Sequence, residues 1–217
     1  IMKDQLKSFL KEFSILKGDF TLSSGEKSSY YIDARICSLS SEPLSIISSL
    51  FFQRIKELNI NYVGGPTIGA DPIVGAILNK AACEKYSLNG FLVRSTEKGH
   101  GTKKTIEGPS IENKKVIIIE DVVSTGGSIK KAINNLKDNG CEIIMILSIV
   151  DREMGAIKMF KNIDIPYEPL FKISELLWRL NFLLKSIKAK YKDGIRNRVI
   201  NVANTRPTPS EIAIGAK

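Results

Sequence analysis

Residues 116–128 read VIIIEDVVSTGGS. Val116 to Ile119 are β-branched without a break, which is the composition of a strand buried on both faces of a parallel sheet. The apolar run stops at two adjacent acids, Glu120 and Asp121, and a loop of hydroxyls and glycines follows: Ser124, Thr125, Gly126, Gly127 and Ser128. Without a Cβ, the two glycines let the chain turn sharply and aim successive N–H groups at one point, with the N-terminus of the next helix behind them. Such a cradle holds a phosphate. A bare phosphate would be repelled by the two acids, so the ligand must also carry hydroxyl donors or a metal ion a few ångströms away. A ribose 5-phosphate satisfies both demands, its 2- and 3-hydroxyls donating to Glu120 and Asp121.

The same alternation of apolar strand and amphipathic helix extends to both sides. An amphipathic segment is expected near residues 43–58, a strand at 62–65, a helix near 71–86 and a strand at 90–94. The strand at 115–120, a helix at 128–139 closed by Gly140, and a strand at 142–150 continue the βαβ rhythm. The fold class is therefore α/β, with a central, mostly parallel sheet flanked by helices. Ser95 to Asn113 is rich in Lys and Gly and has no apolar periodicity, so it is expected to be a long functional loop. Ser174 is an expected N-cap for a helix whose Leu176, Leu180, Leu183, Leu184 and Ile187 recur at helical spacing. From about Tyr191 onward the pattern fails, and a loosely ordered terminus is expected.

Composition excludes several classes. The 217 residues, 43% apolar, suit one domain with a terminal appendage. No apolar run reaches the roughly 18 residues of a membrane span, and the start, IMKDQLKSFLKEF, interleaves charge too closely for a signal peptide, so a cytoplasmic protein is expected. Cys37, Cys83 and Cys141 lack metal-type spacing and read as buried, reduced thiols. His100 is the sole histidine, which leaves little room for a His-based zinc site or a triad. Of the net charge of +9, residues 181–217 hold six, with eight Lys and Arg against Asp193 and Glu211. The body is nearly balanced, and no nucleic-acid partner is expected of it. There is neither a G-x-x-x-x-G-K-[ST] P-loop nor a G-x-G-x-x-G dinucleotide fingerprint, so the cradle belongs to another class.

Four hydrophobics, two acids, two hydrophobics and S-T-G-G-S resemble the phosphoribosyl-pyrophosphate signature of the type I phosphoribosyltransferases. Three further stretches resemble the orotate-specific members: FTLSSGEKSSYYIDAR (Phe20 to Arg35), VRSTEKGHGTKKTIEG (Val93 to Gly108) and DREMGA (Asp151 to Ala156). The resemblance implies a phosphoribosyltransferase domain over residues 1–180 with an N-terminal hood at about 1–40, and a basic helical extension and tail at 181–217. It implies transfer of the phosphoribosyl group from 5-phosphoribosyl 1-pyrophosphate to orotate, giving orotidine 5-phosphate and pyrophosphate on the route to UMP.

It also implies a homodimer that shares its mobile loop between subunits, and Mg²⁺ bound mainly through pyrophosphate rather than by a protein metal cluster. Lys98, His100 and Asp121 are the implied catalytic residues. Substrate contacts fall to Lys27, Arg94, Lys103, Glu120, Asp121, Val122, Val123, Ser124, Thr125, Gly126, Gly127, Ser128 and Arg152. Tyr31 and Ile32 stand where aromatic residues flank the base. On physical grounds Arg152 suits the anionic, planar orotate, Thr125 can bond the same base, and cations over the leaving pyrophosphate lower the barrier.

Ser95 stands where the family usually has a second loop lysine, and Ile68 and Gly69 stand where many relatives have Tyr-Lys, so the diphosphate is held more by backbone than by charge. A phosphoribosyl-pyrophosphate sensor with a nucleic-acid-binding tail, and an enzyme for another base, are the competing readings.

Overall fold

The computed structural model describes residues 1–21, 27–94 and 105–177. The chain starts with helix α1 (Met2–Phe9), a π-helical turn at Leu10–Ser14, and a hairpin of β1 (Ile15–Thr21) and β2 (Lys27–Ile32). Helices α2 (Arg35–Ser38) and α3 (Ser41–Glu57) lead to β3 (Tyr62–Pro66), α4 (Asp71–Cys83) and β4 (Asn89–Val93). Then come β5 (Ile106–Glu107), β6 (Lys115–Val123), α5 (Gly127–Asp138), β7 (Glu142–Asp151), α6 (Ala156–Asn162) and β8 (Tyr167–Lys172). Residues Ile1–Leu176 make one compact unit. The expected extension at 181–217, with its helix, lies outside the described residues.

Strands pair in the order β5-β4-β3-β6-β7-β8, all parallel except the edge pair β4–β5, while β1 and β2 form a separate antiparallel sheet. After β3 the chain winds to one side to make β4, then to the other to make β6. That reversal leaves a crevice beyond the carboxyl ends of β3 and β6, where open α/β sheets bind ligands.

Burial explains the layers. Ile129, Ala132, Ile133 and Leu136 recur at helical spacing on α5 and pack with Val116 and Ile118 of β6, Ile146 of β7 and Phe160 of α6. Each such side chain contributes about 1.5–3 kcal/mol when fully withdrawn from water. Side chains alternate along β6, so Glu120 leaves the strand on the face of Val116 and Ile118, and Asp121 leaves it on the face of Ile117 and Ile119.

The structure corrects five expectations. β6 does not stop at Glu120 but runs on to Val123, because β7 still offers partners: Val122 pairs with Val150 and Val123 with Asp151. The second half of the expected loop at 95–113 is ordered: Ile106 pairs with Val93, and Ile111 is buried. The expected strands end at 142–150, yet one more follows. β8 pairs with β7, although Pro169 and alternating polar residues mark it as an edge strand. Cys83 is exposed at the end of α4, whereas Cys37 and Cys141 are buried thiols. The helical residues near Ser174 begin at 173, one ahead of the expected cap.

β3 lies so close to its neighbours that its glycines cannot carry side chains. A Cβ at Gly65 would meet the Ile119 carbonyl oxygen, and one at Gly64 would meet the backbone and ring of Phe91. Backbone on the other side cannot yield as a flexible side chain would. Gly65→Ala is accordingly expected to destabilise the protein by about 3 kcal/mol and to lower Tm by roughly 10 °C. A thermal melt within 2 °C or so of the parent would contradict this packing.

Candidate active site

An open cleft of about 510 Å³ lies over the carboxyl ends of β6 and β7. It is lined by Tyr31 and Ile32 of β2, Asp33 to Arg35, Ile68 and Gly69 of the loop after β3, Asp121, Val122 and Ser124 after β6's buried run, and Arg152 after β7. Thr21, at the end of β1, completes the wall. Four segments far apart in sequence thus meet at the crevice created by the strand order.

Glu120 and Asp121 are handled differently. Glu120 is 5% exposed; its Oε1 accepts the Asp121 N–H at 3.2 Å, and its Oε2 accepts the Ser128 hydroxyl at 3.2 Å. Burial, reinforced by the neighbouring Asp121 charge, pushes its carboxyl well above the usual range. Asp121 is partly exposed in the cleft, and its Oδ1 accepts the Val122 N–H at 2.6 Å. The loop after β3 presses on it: a Cβ at Gly69 would lie 2.6 Å from the Asp121 carboxylate. Deeper, Ser148 pairs across the ladder with Glu120, and its hydroxyl hydrogen-bonds the Tyr167 hydroxyl at 2.8 Å. Burial raises the Tyr167 phenol strongly, and Asp151 and Glu120 add to the effect against the opposing Ser148 bond, so that phenol stays neutral.

The cradle follows at once. Gly126 takes φ +85° and serves as N-cap of α5 with no side-chain cap. A Cβ there would strike Met159 of α6, so α6 backs the turn. The Lys130 N–H bonds the Gly126 carbonyl, which leaves the N–H groups of Gly127, Ser128 and Ile129 as the unsatisfied first turn, aimed out of the helix. Partial positive charge collects there, and Ser124 and Thr125 add hydroxyls at the rim.

Arg152 is set by its backbone, its N–H donating to the Val123 carbonyl at 2.8 Å. Asp151, fully buried, accepts the Glu153 N–H at 2.8 Å and closes the turn. The Arg152 Nε is buried and has no partner among the described residues, so a planar acceptor would complete it.

Of the expected site residues, the structure gathers Asp121, Val122, Ser124 and Arg152 in the cleft, with Tyr31 and Ile32. Glu120 lies beneath, and Thr125 to Ser128 lie in the cradle. Val123 is different: its side chain is 2% exposed in the core and its carbonyl is taken by Arg152. Lys27 begins β2 opposite Thr21 but is not part of the cleft wall. Arg94 is not part of it either, and its Nη1 faces Glu107 of β5 at 3.5 Å. Lys98, His100, Lys103 and Ser95 lie outside the described residues.

Sequence reading missed Asp33 and Arg35. Both lie in the stretch Phe20 to Arg35 that carries the family resemblance, as a charged D-A-R immediately after the apolar end of β2, but no role was expected of them. Among the described residues no three His, Cys, Asp or Glu side chains cluster to hold a metal, and no helix is long and apolar enough to cross a membrane.

Comparison with known proteins agrees with this geometry. Residues 42–164 match the phosphoribosyl transferase domain model. The chain is 38% identical over 180 residues to an orotate phosphoribosyltransferase of Tropheryma whipplei, covering 82% of this chain and 84% of that protein. It is 42% identical over 174 residues to one of Methanosphaera stadtmanae, covering 80% and 95%. In three dimensions it resembles the Mycobacterium tuberculosis orotate phosphoribosyltransferase crystallised with 5-phospho-α-D-ribosyl 1-diphosphate, with TM-score 0.68 and 27% identity over 81% of this chain and 99% of that one. A crevice at the sheet's reversal, an acid pair above a helix N-terminus and this degree of identity point one way: the chain belongs to the phosphoribosyl transferase family, among the orotate phosphoribosyltransferases.

Proposed function

We propose that this protein transfers the phosphoribosyl group of 5-phosphoribosyl 1-pyrophosphate to orotate, giving orotidine 5-phosphate and pyrophosphate in the synthesis of UMP. The observation that carries this reading is the meeting, in one cleft, of Asp121 and Ser124 with Arg152, where Ser124 leads directly into the uncapped first turn of α5. The first two suit a ribose 5-phosphate and the third a planar anion.

The 5-phosphate sits on the free N–H groups of the first turn of α5, with Ser124 and Thr125 donating beside them. The ribose hydroxyls donate to Asp121 and Glu120. Arg152 takes the orotate carboxylate or its neighbouring carbonyl oxygen in a fork, and Tyr31 and Ile32 flank the ring. Orotate N1 then attacks C1 with inversion. As the C1–O bond lengthens, negative charge grows on pyrophosphate, and Lys98, His100 and Lys103 are the residues proposed to hold it.

Glycines 99 and 101 let that loop close and keep water from the ribose cation. The loop acts on the neighbouring subunit of a homodimer. Magnesium suits this donor set: among the described residues two carboxylates line the cleft, Asp33 already paired with Arg35 and Asp121 partly exposed, and Mg²⁺ prefers phosphate oxygens and waters to an all-protein cage. When bound, it neutralises diphosphate charge. The cytoplasm, where both substrates are soluble, is the expected site of action.

The direct test mixes the protein, Mg²⁺, 5-phosphoribosyl 1-pyrophosphate and orotate and follows loss of orotate absorbance. Adenine, hypoxanthine and uracil serve as rival bases. Absence of turnover with donor binding retained would sink the enzyme reading. Lys98→Ala is expected to cut kcat at least tenfold, about 1.4 kcal/mol in barrier height, and an unchanged rate would remove that loop from the mechanism.

Glu120 yields a prediction with two signs. Its folded-state carboxyl titrates above its unfolded value, so its contribution favours the ligand-free fold when protonated and is lost as pH rises through the raised value. Glu120→Gln removes that charge. The variant should melt above the parent at pH 7.5, with the gap closing as pH falls towards the ordinary glutamate range, and it should bind 5-phosphoribosyl 1-pyrophosphate more weakly. A variant that melts lower at pH 7.5 would mean that Glu120 is not held at a cost.

A further inference from the structure

The diphosphate end of the donor meets an arrangement short of positive charge. Among the described residues the wall holds two carboxylates, Asp33 and Asp121, and two guanidiniums, Arg35 and Arg152, so it is neutral where a multiply charged anion must sit. Arg152 is set just after β7 for the base. The loop after β3, Thr67 to Ala70, brings backbone but no cation. Arg35 is the remaining positive group of the wall, and the preceding mechanism gives it no role.

Its geometry is that of a residue held ready. The Nε–H donates to Asp33 Oδ1 at 2.8 Å and Nη2 to Oδ2 at 3.2 Å, while the Arg35 backbone N–H also donates to Oδ1 at 3.2 Å. One edge of the guanidinium is therefore fixed from behind by both carboxylate oxygens. Of its five N–H groups, the three others have no partner among the described residues. Arg35 shares the wall with Gly69, and a Cβ on Gly69 would touch the Asp121 carboxylate. That end of the cleft is where the C1 substituent of a ribose held by Asp121 must project. The Arg35 guanidinium is raised first by its bond to Asp33, with a smaller pull from Asp121, which agrees with this placement.

Resting on the phosphoribosyltransferase reading, we propose that Arg35, oriented by Asp33, binds the diphosphate of the ribosyl donor and supplies the charge that the loop after β3 lacks. An arginine fork matches phosphate oxygens in pairs and cannot lose its proton at working pH. Asp33 then acts as a positioning residue. As a partly exposed ion pair, the Asp33–Arg35 contact contributes little to folding, so its removal leaves the fold intact and the binding effect readable.

The test uses the full chain with Arg35→Ala, Arg35→Lys and Asp33→Asn. Expected for Arg35→Ala is a rise of at least about tenfold in KM for 5-phosphoribosyl 1-pyrophosphate, a similar rise in KM for pyrophosphate in the reverse reaction, and a KM for orotate within about twofold of the parent. Calorimetric affinity for inorganic pyrophosphate with Mg²⁺ should fall in step. Arg35→Lys should recover part of the loss and Asp33→Asn should show a smaller one of the same kind.

A rise confined to the orotate KM would put Arg35 on the base, and unchanged constants would reduce it to a surface ion pair; either overturns the proposal. A parent protein that binds pyrophosphate but does not consume orotate would refute the choice of base alone. Calorimetry with pyrophosphate would then still decide for or against Arg35.

Discussion

Two neighbouring carboxylates at the end of a strand buried on both faces repel each other, and one of them has lost nearly all its water. Among the described residues Glu120 has the Ser128 hydroxyl and the Asp121 N–H as donors, and burial beside Asp121 raises its carboxyl despite them. A ribose with its hydroxyls supplies the missing donors. The fold around the pair serves to keep it in this state. β7 extends the ladder past the acids so that β6 stays regular to Val123, and the glycine-lined β3 lets the loop at Gly69 close over Asp121.

The acids also set what must lie around them. A ligand drawn to hydroxyl acceptors carries phosphate at both ends, and each end needs positive potential that the acid pair works against. At the 5-phosphate end the proposed mode uses backbone, through the uncapped first turn of α5, where partial charge costs no side-chain entropy. At the base end the proposed mode uses Arg152, fixed by the Val123 carbonyl and the Asp151 turn. Backbone donors and one locked guanidinium are rigid, and rigidity keeps Arg152 from pairing with the acids of the wall, whose internal ion pair is Asp33 with Arg35. Asp33 and Asp121 do not pair with Arg152 in the ligand-free protein, whose Nε stays unpartnered among the described residues.

Much of this was legible because two periodicities do not overlap. The β-branched run of β6 and the i, i+3, i+4, i+7 spacing of α5 admit one reading each, so the central βαβ unit and its cradle followed from residues 116–139. What was lost in the sequence was short or mixed. β5 has two residues, β8 contains Pro169 and polar positions, and the β1–β2 hairpin is rich in Lys and Ser, so none presents an apolar signature. The end of β6 was misread because acids resemble a loop, whereas the pairing partner on β7 decides. Motif logic likewise placed Val123 among ligand contacts, though strand geometry turns its side chain into the core. Asp33 and Arg35 were silent because their relation to the site is made only by packing of the hairpin against the sheet's carboxyl edge.

Placing like charges together has a consequence for selectivity. An inorganic phosphate finds the α5 cradle but brings nothing for Glu120 and Asp121, so it meets their repulsion unrelieved. A planar carboxylate finds Arg152 but no partner for the acids. A phosphorylated ribose satisfies cradle and acids together, and discrimination arises because every incomplete ligand leaves buried charge unpaired. On the proposed mode, the repulsion kept in the Glu120–Asp121 pair makes the cleft prefer a whole ribosyl phosphate to its fragments. A core residue in place of Glu120 would relieve the repulsion and lose the preference in the same step.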